Sequence, residues 1–514
     1  MRVMNSVQWI SLPPAQIRTE LGALQRYATP ERGAPGHTAC LLLPASEAEV
    51  GAVLAEAQQR RQPVVISAGR TGLVEAQRPE GETVLSLEKL VRPLELALGN
   101  GARFVFTTAK PEDAAAELAT WWQAQGNPKP GDARITVEAG LAVDALNQII
   151  EPLGLVWPME MGSTSSASVG GCVANASAGA NAVCYGTTAH LCDAAWGYFA
   201  DGSAAGPFEG AVWQNPAPQV LAIDSAAPDV ALGLIGTQGV LGVITRVRLR
   251  LHALPAQREA ALIPVADMPA AMRVLSLARD VFGHDVEEFE FISQTAMQLV
   301  RALKGDSFRL PFERDPQSSF YLLLQIKSDD ASEDLAGNLY NFLGETLALP
   351  DDQIGYAPIK ALKAIRHSIT EASNHAMKAL GGGRLAFDTA TPVAVFGDYL
   401  ADLEAQLHSG FPQVQLVAFG HAGVGGAHLH LLGTVDCPVA RDAEALIAKV
   451  FDVTAAHGGT FSAEHGVGSK WGEAFAGRAL PSVVAELVAA KRAHDPAHIL
   501  NPRCFGLDRL VRAA

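Results

Sequence analysis

The 514-residue sequence is poor in cysteine, in charged residues and in long apolar runs. Its six cysteines have no CxxC spacing, which favours free thiols in a reducing compartment over disulfides or a structural zinc site. No apolar run approaches the roughly 20 residues that a membrane-spanning helix needs. The segment Met1–Pro13 has no apolar core preceded by positive charge, so no signal peptide is evident. We therefore expect a cytoplasmic protein, with peripheral attachment to the inner membrane left open.

Positive charge is also scarce. The formal net charge is −15 and no basic cluster interrupts it, which argues against a nucleic-acid-binding protein. An anionic substrate would need a local positive pocket within an acidic surface. Apolar residues make up 48% of the chain and charged residues 18%, as in a well-packed globular protein. Because 514 residues exceed what one hydrophobic core holds, two or three domains are expected.

Apolar and polar patterning predicts an α+β rhythm in the first half of the chain. A short strand at 41–44 precedes a helix that Ser46 caps and that runs to about Arg61, and a buried strand follows at 63–66. The glycine-bearing loop 67–73 comes directly after that strand and suits a phosphate cradle. Further along, the pattern predicts a strand at 321–326 and helices over roughly 332–347, 358–379 and 440–457.

The tract 162–179 consists almost entirely of small residues. It has too little side-chain volume to pack as an ordinary core, but its backbone can approach a large ligand closely. A Ser/Gly-rich tract is more often a linker. Here Val169, Cys172 and Val173 interrupt it and structured segments flank it, which favours a cofactor site. Gly236–Thr245 closes this first unit, and Pro255 marks a boundary.

Histidines lie beside glycines near the end of the chain, at His421, His428 and His430, and Glu464-His465 follows in a second such motif. Glycine permits tight turns, so these side chains can converge. Imidazole and carboxylate both suit a borderline divalent metal, and one histidine would remain for acid–base work. The alternative is a set of surface residues on a glycine-rich hairpin. Residues two apart on a strand share a face, so spacing leaves His430 open as a ligand.

These motifs resemble, in their order along residues 37–506, the vanillyl-alcohol-oxidase (PCMH-type) family of FAD-linked oxidoreductases. Within it the chain is similar to the branch of D-lactate, glycolate and D-2-hydroxyglutarate dehydrogenases. Matching elements are the flavin tracts 67–73 and 162–179, the closing element 236–245, the substrate-side motifs 421–428 and 462–468, and the C-terminal segment 495–502.

The resemblance implies an α+β fold. The implied domains are an N-terminal extension at 1–36, a two-part PCMH-type FAD-binding domain at 37–255 with a candidate insertion at 91–134, a ferredoxin-like substrate (cap) domain at 256–480, and a C-terminal helical segment at 481–514 that returns to the FAD domain.

The implied activity is oxidation of a D-2-hydroxy acid (D-lactate-like, glycolate or D-2-hydroxyglutarate) to the 2-oxo acid, by hydride transfer to flavin N5 with metal assistance. His421, His428 and Glu464 would hold the divalent metal, zinc or manganese, and His465 would take the substrate hydroxyl proton. FAD would be non-covalent, because the 67–73 loop contains no histidine. The implied FAD-binding positions are Ser67, Ala68, Gly69, Arg70, Thr71, Gly72, Gly162, Ser163, Ser168, Gly170, Gly171, Asn175, Ser177, Gly242, Val243, Ile244 and Asn501.

The sequence leaves open which residues bind the substrate and which hydroxy acid it is. Arg366 is a candidate for a bidentate grip on a substrate carboxylate, against the alternative of a solvated helix arginine. Ala386 stands where some relatives carry the lysine of a Lys-x-Asp motif, and Gly423–Gly426 lacks the polar residues of their usual turn, so the sequence does not select one hydroxy acid.

The expected partners are a small hydroxy acid and an electron acceptor, either a quinone, a cytochrome or an electron-transfer flavoprotein, with a homodimer left open. A non-catalytic FAD-binding subunit that relays electrons is the alternative function. It has no need for Glu464-His465, so that pair favours an enzyme. A metal hydrolase without flavin would leave the tracts 67–73 and 162–179 unexplained.

Overall fold

A computed structural model describes residues 9–127, 129–206, 233–306, 308–314 and 316–513. Of the predicted domains, residues 1–8, 128, 207–232, 307, 315 and 514 therefore lie outside the described part. The chain forms two compact units. Unit 1 comprises the described residues of Met1–Ser177, Thr187–Leu254 and His465–Ala514, and unit 2 those of Ala178–Gly186 and Pro255–Glu464.

The strands are described first, in chain order. They are β1 (Ile17–Arg18), β2 (Leu41–Leu42), β3 (Val64–Ser67), β4 (Thr83–Ser86), β5 (Pro93–Leu98), β6 (Arg103–Val105), β7 (Ala133–Glu138), β8 (Leu155–Val156), β9 (Cys192–Tyr198), β10 (Ala204–Ala205), β11 (Val243–Ala253), β12 (Gln257–Val265), β13 (Val286–Ser293), β14 (Phe320–Ser328), β15 (Gly355–Tyr356), β16 (Gly381–Ala390), β17 (Gln415–Gly420) and β18 (Gly426–Thr434).

The α-helices lie between and after these strands, and the mixture confirms the predicted α+β class. They are α1 (Leu21–Ala28), α2 (Glu47–Arg60), α3 (Pro111–Ala124), α4 (Val143–Ile150), α5 (Val169–Ala174), α6 (Ala182–Tyr185), α7 (Met268–Phe282), α8 (Gln294–Lys304), α9 (Leu335–Asn341), α10 (Ile359–Leu380), α11 (Phe396–Gly410), α12 (Ala443–Ala456), α13 (Gly472–Arg478), α14 (Pro481–His494) and α15 (Leu507–Ala513). Among the described residues, no helix is long and apolar enough to cross a membrane.

Unit 1 contains two sheets. The first has the order β1-β2-β4-β3, with β2, β4 and β3 parallel, and the second is antiparallel with the order β10-β9-β11-β7-β5-β6. Helix α2 begins where the sequence predicts, since Ser46 Oγ accepts a hydrogen bond from the Glu49 amide. The candidate insertion 91–134 supplies β5 and β6 to the second sheet and buries Trp122, so it forms part of the sheet and core of unit 1.

Unit 2 is built on one antiparallel sheet with the order β15-β12-β14-β13-β17-β18-β16. Directly opposite residues share a face of such a sheet, and one row joins Asp388, His428 and Phe419. The face that carries Phe419 is covered by α8 and α10, which bury an apolar cluster against it. The sheet and α10 therefore hold the ends of β13, β17 and β18 in fixed positions.

The helix predicted over roughly 332–347 is present with a later start. Helix α9 begins at Leu335, and a π-helical turn follows at Phe342–Thr346. The reason is local: Asp334 Oδ1 accepts a hydrogen bond from the Gly337 amide and caps the helix there, while Ser332 bonds to Asp330 in a preceding turn.

Candidate metal and flavin sites

A glycine turn brings two of the predicted metal ligands face to face. Strand β17 ends at Gly420 (φ +147°) and β18 begins one turn later, after Gly425 (φ +74°). A Cβ atom at Gly425 would lie 2.0 Å from the Thr391 carbonyl oxygen, so only glycine fits this position. The result places His421 Nε2 3.3 Å from His428 Nε2.

Glu464 completes this trio of residues. Its backbone amide donates to Asp388 Oδ2 at 2.8 Å, and the neighbouring Ala463 amide donates to the Asp388 carbonyl oxygen. Anchored in this way, the Glu464 carboxylate lies 3.0 Å from His421 Nε2 and 3.8 Å from His428 Nε2. One ligand atom from each of the three residues lies within 4.8 Å of the other two.

The chemistry of this donor set fits a divalent metal. Two imidazole nitrogens and a carboxylate oxygen are the ligands that a catalytic zinc site uses, with a further position left for water or substrate. His430 is not part of the converging group. It lies on the same strand face as His428 but is buried, with its ring edge against Phe419 at 5.2 Å between centroids.

The electrostatics of the trio centre on His421. Its Nδ1 lies 2.5 Å from Glu290 Oε1, on the side opposite the Glu464 contact. Burial by itself would lower the pKa of His421, but the carboxylates of Glu290 and Glu464 outweigh it and raise the pKa well above its usual value. Burial alone would raise the pKa of Glu290, but the charges and hydrogen bonds of His421 and Arg366 lower it to about 2.

Arg366 lies on α10 beside this cluster. Its Nε donates to Glu290 Oε2 at 2.8 Å, and its guanidinium stacks 4.7 Å from the Phe419 ring centroid. Among the described residues, its two Nη nitrogens have no hydrogen-bond partner, and 13% of the side chain remains exposed. The arginine is therefore held by its inner edge, with its outer donors available for an anion.

His465 follows Glu464 directly but belongs to unit 1, where its loop is tied down. The Gly468 amide donates to Gln238 Oε1 at 2.7 Å. Gly466 (φ +81°) packs so closely on Gln238 that a Cβ atom would lie 2.2 Å from its Nε2. The loop that begins at His465 is thus fixed to the predicted closing element 236–245.

Unit 1 also brings the first two predicted flavin tracts together. A Cβ atom at Gly69 would lie 2.2 Å from the Ser166 carbonyl oxygen, so the 67–72 loop touches the 162–177 tract. Ser67 Oγ is buried and has no hydrogen-bond partner among the described residues, as expected of a hydroxyl that awaits a ligand. This close approach and this hydroxyl fit the predicted cofactor.

The remaining tract residues shape the backbone around that contact. Ser168 caps α5 by accepting from the Gly171 amide, and Gly170 lies against Ala139 in a space that no side chain could fill. Asn175 Nδ2 donates to Ser177 Oγ at 3.4 Å. Gly162 and Ser163 lie at the start of the tract, where the Ser163 carbonyl oxygen accepts from the Ser166 and Ala167 amides.

Arg70 lies in the first loop at a φ of +62°. Its guanidinium lies 3.4 Å from the Glu88 carboxylate and 4.5 Å from the Tyr27 ring centroid, so this predicted FAD-binding residue is already paired with a carboxylate. Ala68 lies within the contact between the two tracts, facing Gly171. Thr71 and Gly72 follow, and the Gly72 carbonyl oxygen accepts from Gln77.

Asn501 joins the first loop to the closing element. Its Oδ1 accepts from the Ile66 amide at 2.8 Å, and its Nδ2 donates to the Gln238 carbonyl oxygen at 2.5 Å. Gly242 lies against the Tyr198 carbonyl oxygen, and the buried Val243 and Ile244 then open β11. Asn501 therefore binds two backbone segments that frame the predicted flavin site.

The sequence prediction missed Glu290, Gln238 and Lys491. A signal for Glu290 was present: β13 carries Glu287, Glu288 and Glu290 within an otherwise apolar run. All three carboxylates are at most 2% exposed, and charges buried in this way need partners. Gln238 has no such signal, because its side chain bonds to the Gly468 amide, 230 positions away. Lys491 has a local partner in Asp495, four residues later, but its bond to the Val240 carbonyl oxygen spans 251 positions.

Comparison with known proteins gives two family matches. Residues 126–204 match the model described as an FAD binding domain, and residues 254–504 match that of the C-terminal domain of FAD linked oxidases. The first match includes the tract 162–177, and the second includes His421, His428 and Glu464.

Relatives of known name agree with these matches. The chain is 26% identical over 509 residues to a D-2-hydroxyglutarate dehydrogenase of Xanthomonas citri, covering 96% of this chain and 94% of that protein. It is 28% identical over 373 residues to the mitochondrial D-2-hydroxyglutarate dehydrogenase of Bos taurus, covering 72% of this chain and 64% of that protein. Among solved structures, p-cresol methylhydroxylase with substrate bound shares the fold, with a TM-score of 0.65 at 14% identity over 97% of this chain and 95% of that chain.

Proposed function

The chain belongs to the FAD-linked oxidases and is an FAD-dependent oxidoreductase, and from that premise we propose that it oxidises a D-2-hydroxy acid to the 2-oxo acid. The observation that carries the proposal is the convergence of His421, His428 and Glu464 next to Arg366. A bound divalent metal supplies a Lewis acid and bound FAD supplies the hydride acceptor. Every other task falls to side chains of this chain.

His421, His428 and Glu464 would hold the metal, zinc or manganese. The Nε2 atoms of the two histidines face each other, and the carboxylate of Glu464 lies beside both. Asp388 positions Glu464 through its backbone amide, so the third ligand does not depend on a flexible side chain alone. Preorganised ligands of this kind support substrate binding at an open position.

Arg366 binds the substrate carboxylate. A guanidinium offers donors in a fixed fork that matches a carboxylate, and the contact of Arg366 with Glu290 uses Nε. His465 would take the proton of the substrate hydroxyl, and bound FAD would accept the hydride from C2. An imidazole suits this role because its ordinary pKa lies near neutrality.

The substrate proposal covers D-2-hydroxyglutarate, D-lactate-like acids and glycolate. The names of the relatives favour D-2-hydroxyglutarate. Ala386, in place of the lysine that some relatives carry, removes one cation that a second carboxylate would use, which favours the shorter acids. The electron acceptor would be a quinone, a cytochrome or an electron-transfer flavoprotein.

The test is an anaerobic titration of the purified protein. The flavin absorbance is recorded before and after addition of D-2-hydroxyglutarate, D-lactate or glycolate, with the L enantiomers of the first two as controls. We expect one D acid (or glycolate) to bleach the flavin band, and chelation of bound metal to slow the bleaching. A bound flavin that no hydroxy acid reduces would overturn the proposal and favour an electron-relay subunit.

A further inference from the structure

Glu290 has two partners, one for each carboxylate oxygen. Its Oε2 accepts from Arg366 Nε at 2.8 Å, and its Oε1 lies 2.5 Å from His421 Nδ1. The side chain is 2% exposed, so water does not compete for either bond. A single buried carboxylate in β13 therefore connects one residue of the proposed substrate site with one residue of the proposed metal site.

The contact with His421 fixes which ring nitrogen is available. When Nδ1 donates its proton to Glu290, the neutral imidazole presents the lone pair of Nε2. That atom faces Glu464 and His428, at 3.0 Å and 3.3 Å. A carboxylate behind a histidine ligand also increases the basicity of the ligand and fixes its ring orientation.

The contact with Arg366 fixes the guanidinium in a similar way. Nε bonds to Glu290 while the guanidinium stacks on Phe419, so two contacts set the plane of the fork. The Nη donors are then oriented without the entropic cost of ordering a free arginine side chain when substrate binds.

We propose that Glu290 is a positioning residue that sets the orientation of both His421 and Arg366. The inference rests on the proposed function, because it assigns a supporting role to a residue behind the proposed metal and substrate contacts. Glu290 itself touches neither the metal nor the substrate.

The same strand supplies a matched control. Glu288 lies two residues earlier in β13, is 2% exposed, and pairs with Lys363 Nζ at 2.5 Å. Lys363 lies one helical turn before Arg366 on α10. Glu288 thus makes the same kind of buried ion pair between the same two elements, but with Lys363 and Gln325 rather than with His421.

The test compares Glu290→Gln with Glu288→Gln in the full-length flavoprotein. Glutamine keeps the size of the side chain but has one acceptor oxygen, so it cannot accept from both His421 Nδ1 and Arg366 Nε. The metal-stripped proteins are titrated with Zn²⁺ against a chelating indicator, and the visible bands of added Co²⁺ are recorded. Circular dichroism and flavin content report on folding.

We expect Glu290→Gln to weaken Zn²⁺ binding about 10- to 100-fold and to alter the Co²⁺ spectrum. Glu288→Gln should leave both unchanged. Equal Zn²⁺ affinity in wild type and Glu290→Gln would overturn the inference, and so would an equal loss in both variants, which would indicate that any broken pair between β13 and α10 disturbs the sheet. If wild-type protein binds neither Zn²⁺ nor Co²⁺, the metal part of the proposed function fails instead.

Discussion

At the scale of the residue, the same side-chain type serves different purposes along a few positions of the chain. His421 and His428 converge with Glu464, whereas His430 packs against Phe419 in the apolar cluster beneath α10. Arg366 keeps its outer donors available, whereas Arg70 is occupied by Glu88 and Tyr27. Residue type alone does not separate these cases, because the partner of each side chain lies far away in the sequence.

The proposed base is testable at this scale. His465→Ala should slow flavin reduction by substrate about 10²- to 10⁴-fold, since that is the usual contribution of a general base. The variant should keep its flavin, because the Gly468 amide still holds the loop to Gln238. Stopped-flow absorbance gives the rate, and the ratio of flavin to protein absorbance gives the cofactor content.

The control is His457→Gln, which removes a histidine that pairs with Asp402 on α11. In this variant, substrate should reduce the flavin at the wild-type rate. A wild-type rate in His465→Ala would remove that residue from the mechanism.

At the scale of the element, the short connections between helices and strands determine where the residues of the two candidate sites lie. The turn between β17 and β18 needs glycine at positions 420 and 425, because neighbouring carbonyl oxygens leave no room for a Cβ atom. The loop after β3 likewise needs Gly69, which touches the small-residue tract. These glycines create the close approaches on which the two candidate sites depend.

A substitution at Asn501 tests whether its side chain supports the loops around the candidate flavin site. Asn501→Ala removes the acceptor for the Ile66 amide and the donor to the Gln238 carbonyl oxygen, so the ends of two loops lose their common support. Each buried group left without a partner costs about 1 to 3 kcal/mol. We expect weaker flavin binding, measured as flavin released on gel filtration.

Asn147→Ala is the matched control, because Asn147 also bonds to the amide and the carbonyl oxygen of one distant residue, Trp157. It should lower stability by a similar amount but keep its flavin. Equal flavin retention in both variants would show that Asn501 does not frame the cofactor site.

At the scale of the whole molecule, the C-terminal segment completes unit 1. Lys491 is fully buried and donates three hydrogen bonds, to Asp495 Oδ2 and to the carbonyl oxygens of Val240 and Leu500. Asp495 in turn accepts from the Ile499 and Leu500 amides. Leu500 then pairs with Val64, so residues more than 400 positions apart form one structure.

Lys491→Met should lower the free energy of unfolding by about 3 to 5 kcal/mol, because it leaves a buried carboxylate without its cation. Urea unfolding followed by circular dichroism measures the change. Arg509→Met removes one partner of an exposed ion pair with Glu473 and should cost at most about 1 kcal/mol. Similar losses in both variants would mean that burial does not determine the strength of these pairs.

The sequence by itself determined the α+β class, the flavin family and the capped start of α2, because these depend on local patterns and on motifs whose order along the chain is specific. It also named the residues of the candidate metal trio, although not the distances between their ligand atoms. Only the tertiary structure decided that His430 packs away from the trio, that Arg70 is paired, and that Glu290 lies behind both His421 and Arg366. The physical reason is that burial and hydrogen-bond partners are set by contacts between distant segments, and no local pattern encodes them.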